Sequence, residues 1–440
     1  MIRLIYSVVL LLAALSFGMT SVPCSAKAIH LSADSLFKII DERSRMLRLA
    51  SLYAAEASEG VAVARSRRLP VVSASLSVGY LGNGYLTARD FSGGMGIHNP
   101  HSNNNFALEA AQVVYDGGAI SGGIRLATLK ERMSRLDVEQ SRRQVRFMLL
   151  GWLTDLQCLH NRRRVLDENI VLARQVVADM KARYDNGVVL GSDIMRYELY
   201  LEELELQREK MCEKLRTTNY RLANALGFPT GDTEFVPELP ADGTVVAGTE
   251  QNWHETAAMS SLALRKAALA IDMSEAGRRI AAAGMKPRVS LYAYGRFDSP
   301  IVTEVPVLNK NFMYWGACVS VSFDISSFYT TKRRVRQAAW TVSESREAYN
   351  VSMENVCNGI KEAYESCRTA AVELRTKEKS LGLARRNYQI ISDRYACGLA
   401  LITEMLDAAN MMLDAETGLE NARIALLFCR YRMEYVTDIL

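Results

Sequence analysis

Imidazole can serve as metal ligand, base or acid, and this 440-residue chain has only five histidines. The one close pair, His98-Asn99-Pro100-His101, lies in the Gly/Asn/Asp/His-rich stretch 82–105, whose composition reads as a loop. Two such ligands without a third do not make a metal site. Gly93-Gly94-Met95-Gly96 and Gly117-Gly118 superficially resemble phosphate-cradling turns, but neither runs into Gly-Lys-Ser/Thr. The chain holds no Gly-x-Ser-x-Gly, no His-Glu-x-x-His and no plausible triad, so no catalytic residue, no cofactor and no bound metal is expected. An exported enzyme would need a polar constellation that is not there. Thioethers bind soft metals, and Met195, Met411 and Met412 stand among eighteen methionines. Filling helix seams accounts for them, while a soft-metal cargo stays open.

The cysteines give no stronger signal. Cys158, Cys212, Cys318, Cys357, Cys367, Cys397 and Cys429 follow Cys24 with no Cys-x-x-Cys among them. Cys357 and Cys367 sit on one predicted helix about 15 Å apart, too far to bridge. Buried thiols acting as small hydrophobes are the expectation.

What does recur is a structural motif. Arg183-Tyr184-x-x-Gly187, with an acid at Asp193, returns 211 residues later as Arg394-Tyr395-x-x-Gly398 with an acid at Glu404. A duplication on this scale governs the fold and is read before any local feature. It divides the chain into a first repeat 29–228, a Pro/Gly/Thr-rich linker 229–250 and a second repeat 251–440, after a segment 1–28. That segment carries Arg3, an apolar run Ile5 to Phe17 too short to span a bilayer, and Ala26-Lys27-Ala28, the form of a cleaved signal peptide. Ser21-Val22-Pro23 before Cys24 is a poor lipobox. A net charge of +4 offers no concentrated basic surface, so nucleic acid is not an expected partner.

The elements follow the same plan twice. A helix from Ser32 to Arg68 ends at Leu69-Pro70; a second, from Glu255 to Met285, ends at Lys286-Pro287. Each leads into an alternating strand. Val72, Ala74, Leu76, Val78 and Tyr80 oppose Ser73, Ser75, Ser77 and Gly79, while Val289, Leu291 and Ala293 oppose Ser290, Tyr292 and Tyr294. Phe106 to Asp116 alternates less cleanly, with Glu109 and Gln112 on opposite faces. Met313, Trp315, Ala317, Val319, Val321 and Phe323 form the most regular apolar series. Long helices then run from Gly118 to Tyr184 and from Thr331 to Tyr395, each roughly 100 Å at 1.5 Å per residue. Their apolar residues keep a 4-3 spacing, interrupted only at Arg163: Val145, Leu149, Trp152, Leu156, Leu159, Leu166, Ile170, Ala173, Val177, Met180, Tyr184, and 211 residues on Val356 through Tyr395, with Lys377 the exception. That is a coiled-coil seam. Return helices run from Ser192 to Leu226 and from Glu404 to Tyr435.

Strands with one apolar and one polar face are the pattern of an outer-membrane barrel. Four strands cannot enclose a lumen, which takes about eight, so several chains must contribute. No later stretch is apolar enough for a membrane helix.

The order helix, Leu-Pro, strand, loop, strand, long helix, Tyr-x-x-Gly turn and return helix, all doubled, resembles the TolC-type outer-membrane efflux proteins. Arg68-Leu69-Pro70, Val114-Tyr115-Asp116-Gly117-Gly118, Leu222-Ala223-Asn224-Ala225-Leu226-Gly227 and Tyr395-x-x-Gly398 leading into Glu404-Met405-Leu406-Asp407-Ala408 carry the resemblance. Phe323-Asp324-Ile325-Ser326 departs from it by lacking the paired glycines. The resemblance implies a mainly α fold with β: a homotrimer whose coiled-coil helices form a periplasmic tunnel and whose strands, four per protomer, build a twelve-stranded barrel in outer-membrane lipid. Val72, Leu76, Val289, Leu291, Trp315, Val319, Val321 and Phe323 would face that lipid. It further implies an exit duct for efflux or secretion, docked onto a periplasmic adaptor and an inner-membrane pump. The adaptor would meet Gly187, Val188, Val189, Leu190 and Gly398, Leu399, Ala400, Leu401, the aliphatic residues being exposed. The family often closes its tunnel with acidic side chains near this tip, and Asp185, Asp193, Asp393 and Glu404 are the candidates. A ring of carboxylates in a narrow pore repels itself and favours cations. The alternative is a periplasmic coiled-coil adaptor or scaffold without a barrel, which would not need the paired amphipathic strands.

Overall fold

The structure, a computed structural model, describes residues 27–229, 233–240, 248–304 and 307–439. In chain order its elements are β1 (Lys27–Leu31), α1 (Ala33–Arg43), α2 (Arg45–Ser66), β2 (Val71–Tyr80), β3 (Gly84–Leu86), β4 (Met95–Ile97), β5 (Ser102–Asp116) and α3 (Ala119–Tyr184). There follow α4 (Gly191–Leu226), β6 (Thr233–Pro237), α5 (Glu250–Ser260), α6 (Leu262–Ala283), β7 (Arg288–Ser299), β8 (Phe312–Ser322), α7 (Ser327–Ala396) and α8 (Ile402–Val436). The predicted signal peptide lies outside the described residues except for Lys27 and Ala28, which both stand in β1. Two compact units result, one of residues through Leu49, Glu139–Ser261 and Val356–Leu440, the other of Ala50–Val138 and Leu262–Asn355; α3 and α7 contribute to both.

In the first unit α3 returns as α4 and α7 as α8. The predicted seams are its core: Val145, Leu149, Leu156, Leu166, Ile170, Ala173, Val177 and Met180 are buried on α3, and Ile360, Ala363, Cys367, Ala370, Leu381 and Tyr388 on α7. Each large aliphatic side chain so buried stabilises by about 1.5–3 kcal/mol. A polar ladder joins α3 to α8. Asn161 donates to Glu420 (2.8 Å), Asn169 to Glu416 (2.9 Å) and Arg162 to Asn421 (2.7 Å), while Arg423 and Arg385 neutralise the two glutamates at 3.0 Å each. A shift of one turn would leave these half-buried groups unpaired, so the ladder fixes which turn meets which.

Several features escape the sequence reading. The predicted helix 32–68 breaks at Ser44, and the later one starts at Glu250 and breaks at Ser261. Both serines are buried and extended (ψ 120° and 116°), yet each still donates its N–H to the residue four back. No glycine or proline marks either break. Within the supposed linker, β6 pairs in parallel with β1, from Lys27 opposite Thr233 to Leu31 opposite Pro237. The free side of β6 is bracketed by a side chain: Asn219 Nδ2 donates to the Thr233 carbonyl (2.6 Å) and Asn219 Oδ1 accepts from Phe235 N–H (2.8 Å). Asn219→Ala strips partners from two backbone groups of a strand whose Thr233 and Phe235 are buried. It is expected to cost about 1–3 kcal/mol, seen as a lowered melting temperature of the extracted protein.

The second unit holds an antiparallel sheet in the order β2-β5-β7-β8. The predicted loop 82–105 contains a small β3–β4 hairpin and the beginning of β5. A bulge between Val113 and Tyr115 explains the weak alternation of β5, because it returns Tyr115 to the face of Val289. Gln112 shares that face, but its amide turns back to the Arg68 and Val113 carbonyls (2.8 and 3.0 Å). The loop between β7 and β8 closes on one bridge, Ile301 to Leu308.

Candidate functional site

The sheet has two chemically distinct faces. Register aligns Val72 with Ala110, Ala293 and Ala317; Gln112 with Leu291 and Val319; Leu108 with Gly295 and Trp315; and Leu76 with Phe106, Phe297 and Met313. Val289 and Val321 pair on the same face. Every side chain the sequence assigns to lipid therefore shares one face, except Phe323. β8 ends at Ser322, and the Phe323 ring packs edge-on against Phe328 of α7 (5.6 Å). The alternation ran one residue beyond the last ladder pair. Trp315 is 84% exposed and Leu76 71%, so among the described residues of one chain nothing covers these side chains.

The opposite face is polar and internally tied. Arg296 pairs with Glu109 across β5 and β7 (2.9 Å), and Tyr314 donates to Asp298 (3.0 Å). The Tyr294 ring lies over its partner Gly316, where an added Cβ would come within 2.7 Å of it. Glycine there is a packing choice, giving the ring a seat.

The two helix–helix turns belong to the other unit. Gly187 and Gly398 both have φ +74°, the left-handed region that closes a helix. Each donates to the tyrosine three back (Gly187 to Tyr184 O, 2.8 Å; Gly398 to Tyr395 O, 3.0 Å). The next N–H reaches five back (Val188 to Arg183 O, 3.0 Å; Leu399 to Arg394 O, 2.8 Å), completing a Schellman closure. Val188 and Leu190 are 71% and 70% exposed, Leu399 and Leu401 68% each. Val189 and Ala400 are only half-exposed, and Val189 packs on the core beneath the turns, so it departs from the exposed row. Tyr197 is buried there, edge-on to Tyr200 (5.5 Å) and in the same buried cluster as Tyr388. Burial pushes the Tyr197 and Tyr200 phenols up, Tyr200 to about 12, so both stay neutral.

Of the candidate gate acids, Asp185, Asp393 and Glu404 are exposed and Asp193 half-exposed. Among the described residues no hydrogen bond or ion pair joins the four. Asp393 accepts from Gln389 (3.3 Å), and the Asp193 charge adds to the burial that raises the Tyr395 phenol. The sequence reading passed over the arginines. Arg183 donates to the Ala396 carbonyl of the other turn (2.9 Å) while pairing with Asp179 (2.9 Å), whereas Arg394 caps its own turn at Leu399 O (3.0 Å). The signal was present, since arginine opens the repeated motif both times.

The outer membrane efflux protein family model matches residues 36–227 and 253–427, one stretch in each repeat. No curated protein matches the chain. Among solved structures it is similar to the outer-membrane channel OprN (16% identity, 92% of this chain and 89% of that one, TM-score 0.73). It is similar also to the outer membrane protein VceC of Vibrio cholerae (14% identity, 92% and 96%, TM-score 0.73) and to CusC (14%, 92% and 91%, TM-score 0.75). At these identities the likeness establishes the fold, and the family match favours the channel over the periplasmic scaffold. With both repeats matched, the chain belongs to the outer membrane efflux protein family: it is an efflux channel of the outer membrane with its long helices in the periplasm.

Proposed function

We propose that three copies of this chain join edge to edge into one twelve-stranded barrel and act as a passive exit duct. The observation that carries the reading is the two-faced sheet with two open edges. β2 and β8, of 10 and 11 residues, have no outer neighbour in the sheet among the described residues. Long unpaired edges recruit partners, and β2 of one copy pairing with β8 of the next satisfies both. Strands of this length, at about 3.3 Å per residue and a tilt near 40°, span about 25 Å, the height of a barrel's apolar band. Val72, Leu76, Val289, Leu291, Trp315, Val319 and Val321 then face lipid, with Tyr80 and Phe106 near one rim and Tyr115 near the other. The Arg296–Glu109 face lines the lumen.

Each repeat, 29–228 and 251–440, supplies one strand pair and one helical hairpin, and segment 1–28 directs export. Val188, Leu190, Leu399 and Leu401 are the apolar points that meet the hairpin tips of a periplasmic adaptor, which couples the duct to an inner-membrane pump. Asp185, Asp193, Asp393 and Glu404, repeated three times around the axis, make the acidic collar of the gate. Energy comes from the pump, and the chain supplies the path.

Light scattering on protein extracted in detergent from separated outer membranes tests the assembly. The expected protein mass is three times that of the mature chain. A monomer recovered without detergent from the periplasm would refute the shared barrel.

A further inference from the structure

α7 and α8 pack antiparallel within their unit. Gly359 lies against Val436, Glu362 reaches Arg432 (3.9 Å) and Lys377 runs along Gly418. In that register Cys367 stands opposite Cys429, close enough that each thiol perturbs the other. Cys367 is buried and Cys429 half-buried. The matching seam position of the first repeat, 211 residues earlier, is Leu156, also buried. An aliphatic side chain fills that position equally well, so packing alone does not call for sulfur at Cys367.

We propose that Cys367 and Cys429 close to a disulfide after export, tying α7 to α8 on either side of the second turn. The helices stand in the periplasm, where disulfides form and persist. The neighbouring Cys367 thiol lowers the Cys429 thiol against the opposing effect of burial, so Cys429 is the nucleophile. Its thiolate attacks a disulfide-bearing oxidant of that compartment, forming a mixed disulfide and releasing one thiolate. The Cys367 thiol loses its proton and displaces the second. Two thiols thus lose two protons, and two electrons pass to the oxidant, which leaves as a dithiol. The other cysteines are left with their thiols.

The closed bond prevents α7 and α8 from sliding past one another. An opening of the duct must then move the second hairpin as one body, while the first, with Leu156 at the equivalent place, keeps its freedom to slide.

The test uses the exported full-length protein, extracted from outer membranes and denatured in N-ethylmaleimide so that burial protects no thiol. Non-reducing peptide mapping is expected to give one cross-linked species containing Cys367 and Cys429, lighter by two hydrogens than the separate peptides. Neither residue is labelled until reductant is added. In Cys429→Ser the cross-link disappears and Cys367 becomes labelled. Labelling of both residues in the wild-type protein without reductant, or a cross-link from either to a different cysteine, overturns the proposal. The wild-type map decides even if the variant fails to assemble.

Discussion

Gly398→Pro is expected to abolish export while the trimer still reaches the outer membrane. Gly398 holds φ +74° and gives its N–H to Tyr395 O at 3.0 Å. Proline cannot reach that φ and has no N–H, a combined loss of about 3 kcal/mol or more at the turn. The damage stays local, because Ile402, Met405, Ala408 and Tyr388 are buried in a core shared by both hairpins. What changes is the presentation of Leu399 and Leu401, the surface assigned to the adaptor. Gly187→Pro is expected to behave alike through Val188 and Leu190. Gly398→Ala is the control: it keeps the N–H and costs about 1–2 kcal/mol for the left-handed conformation, so most export should survive. Complementation of a deletion strain in the native host, scored on the compound it fails to expel, reads the function, and light scattering reads the assembly. Normal export by both proline variants would sink the tip assignment.

The sequence disclosed most where the chain repeats itself. The 4-3 seams, the alternating strands and the two Tyr-x-x-Gly turns each follow a fixed period, and the structure buries or pairs them as that period requires. What stayed hidden has no local signature. The breaks at Ser44 and Ser261 keep their hydrogen bonds, and although serine is favoured at a helix start, the many other serines of the chain leave these two unmarked. β6 lies in a segment of turn-like composition, and its partners, β1 and Asn219, are distant in sequence. Alternation in the sequence runs on to Phe323, whereas the ladder ends at the pair Arg288 and Ser322 and the Phe323 ring packs on Phe328. At the turns the acids drew attention through their charge, whereas Arg183 makes the contact that crosses to the other hairpin.

The same reasoning separates the two faces of the sheet. Val319→Arg and Ser320→Arg introduce one charge at adjacent positions of β8, and period 2 sends them to opposite sides. Val319 sits beside Leu291 on the apolar face; Ser320 sits beside Ser290 on the polar one. In lipid, arginine near the bilayer midplane costs about 2–4 kcal/mol, and a trimer incurs that three times, so roughly 6–12 kcal/mol opposes assembly. Few folded domains hold more than about 15 kcal/mol in reserve. Val319→Arg is therefore expected to remove most of the trimer from the outer membrane. Ser320→Arg should assemble at near wild-type yield and instead lower single-channel conductance for cations, because the new charge stands in the water-filled lumen. Trimer yield from fractionated membranes reads the first effect and planar-bilayer recording the second. Equal loss of both variants would mean that β8 tolerates no bulk on either side, and the assignment of faces would lose its support. Loss of Ser320→Arg alone would reverse the faces. Only the ordering with Val319→Arg impaired and Ser320→Arg intact agrees with a sheet whose valines, leucines and Trp315 meet lipid.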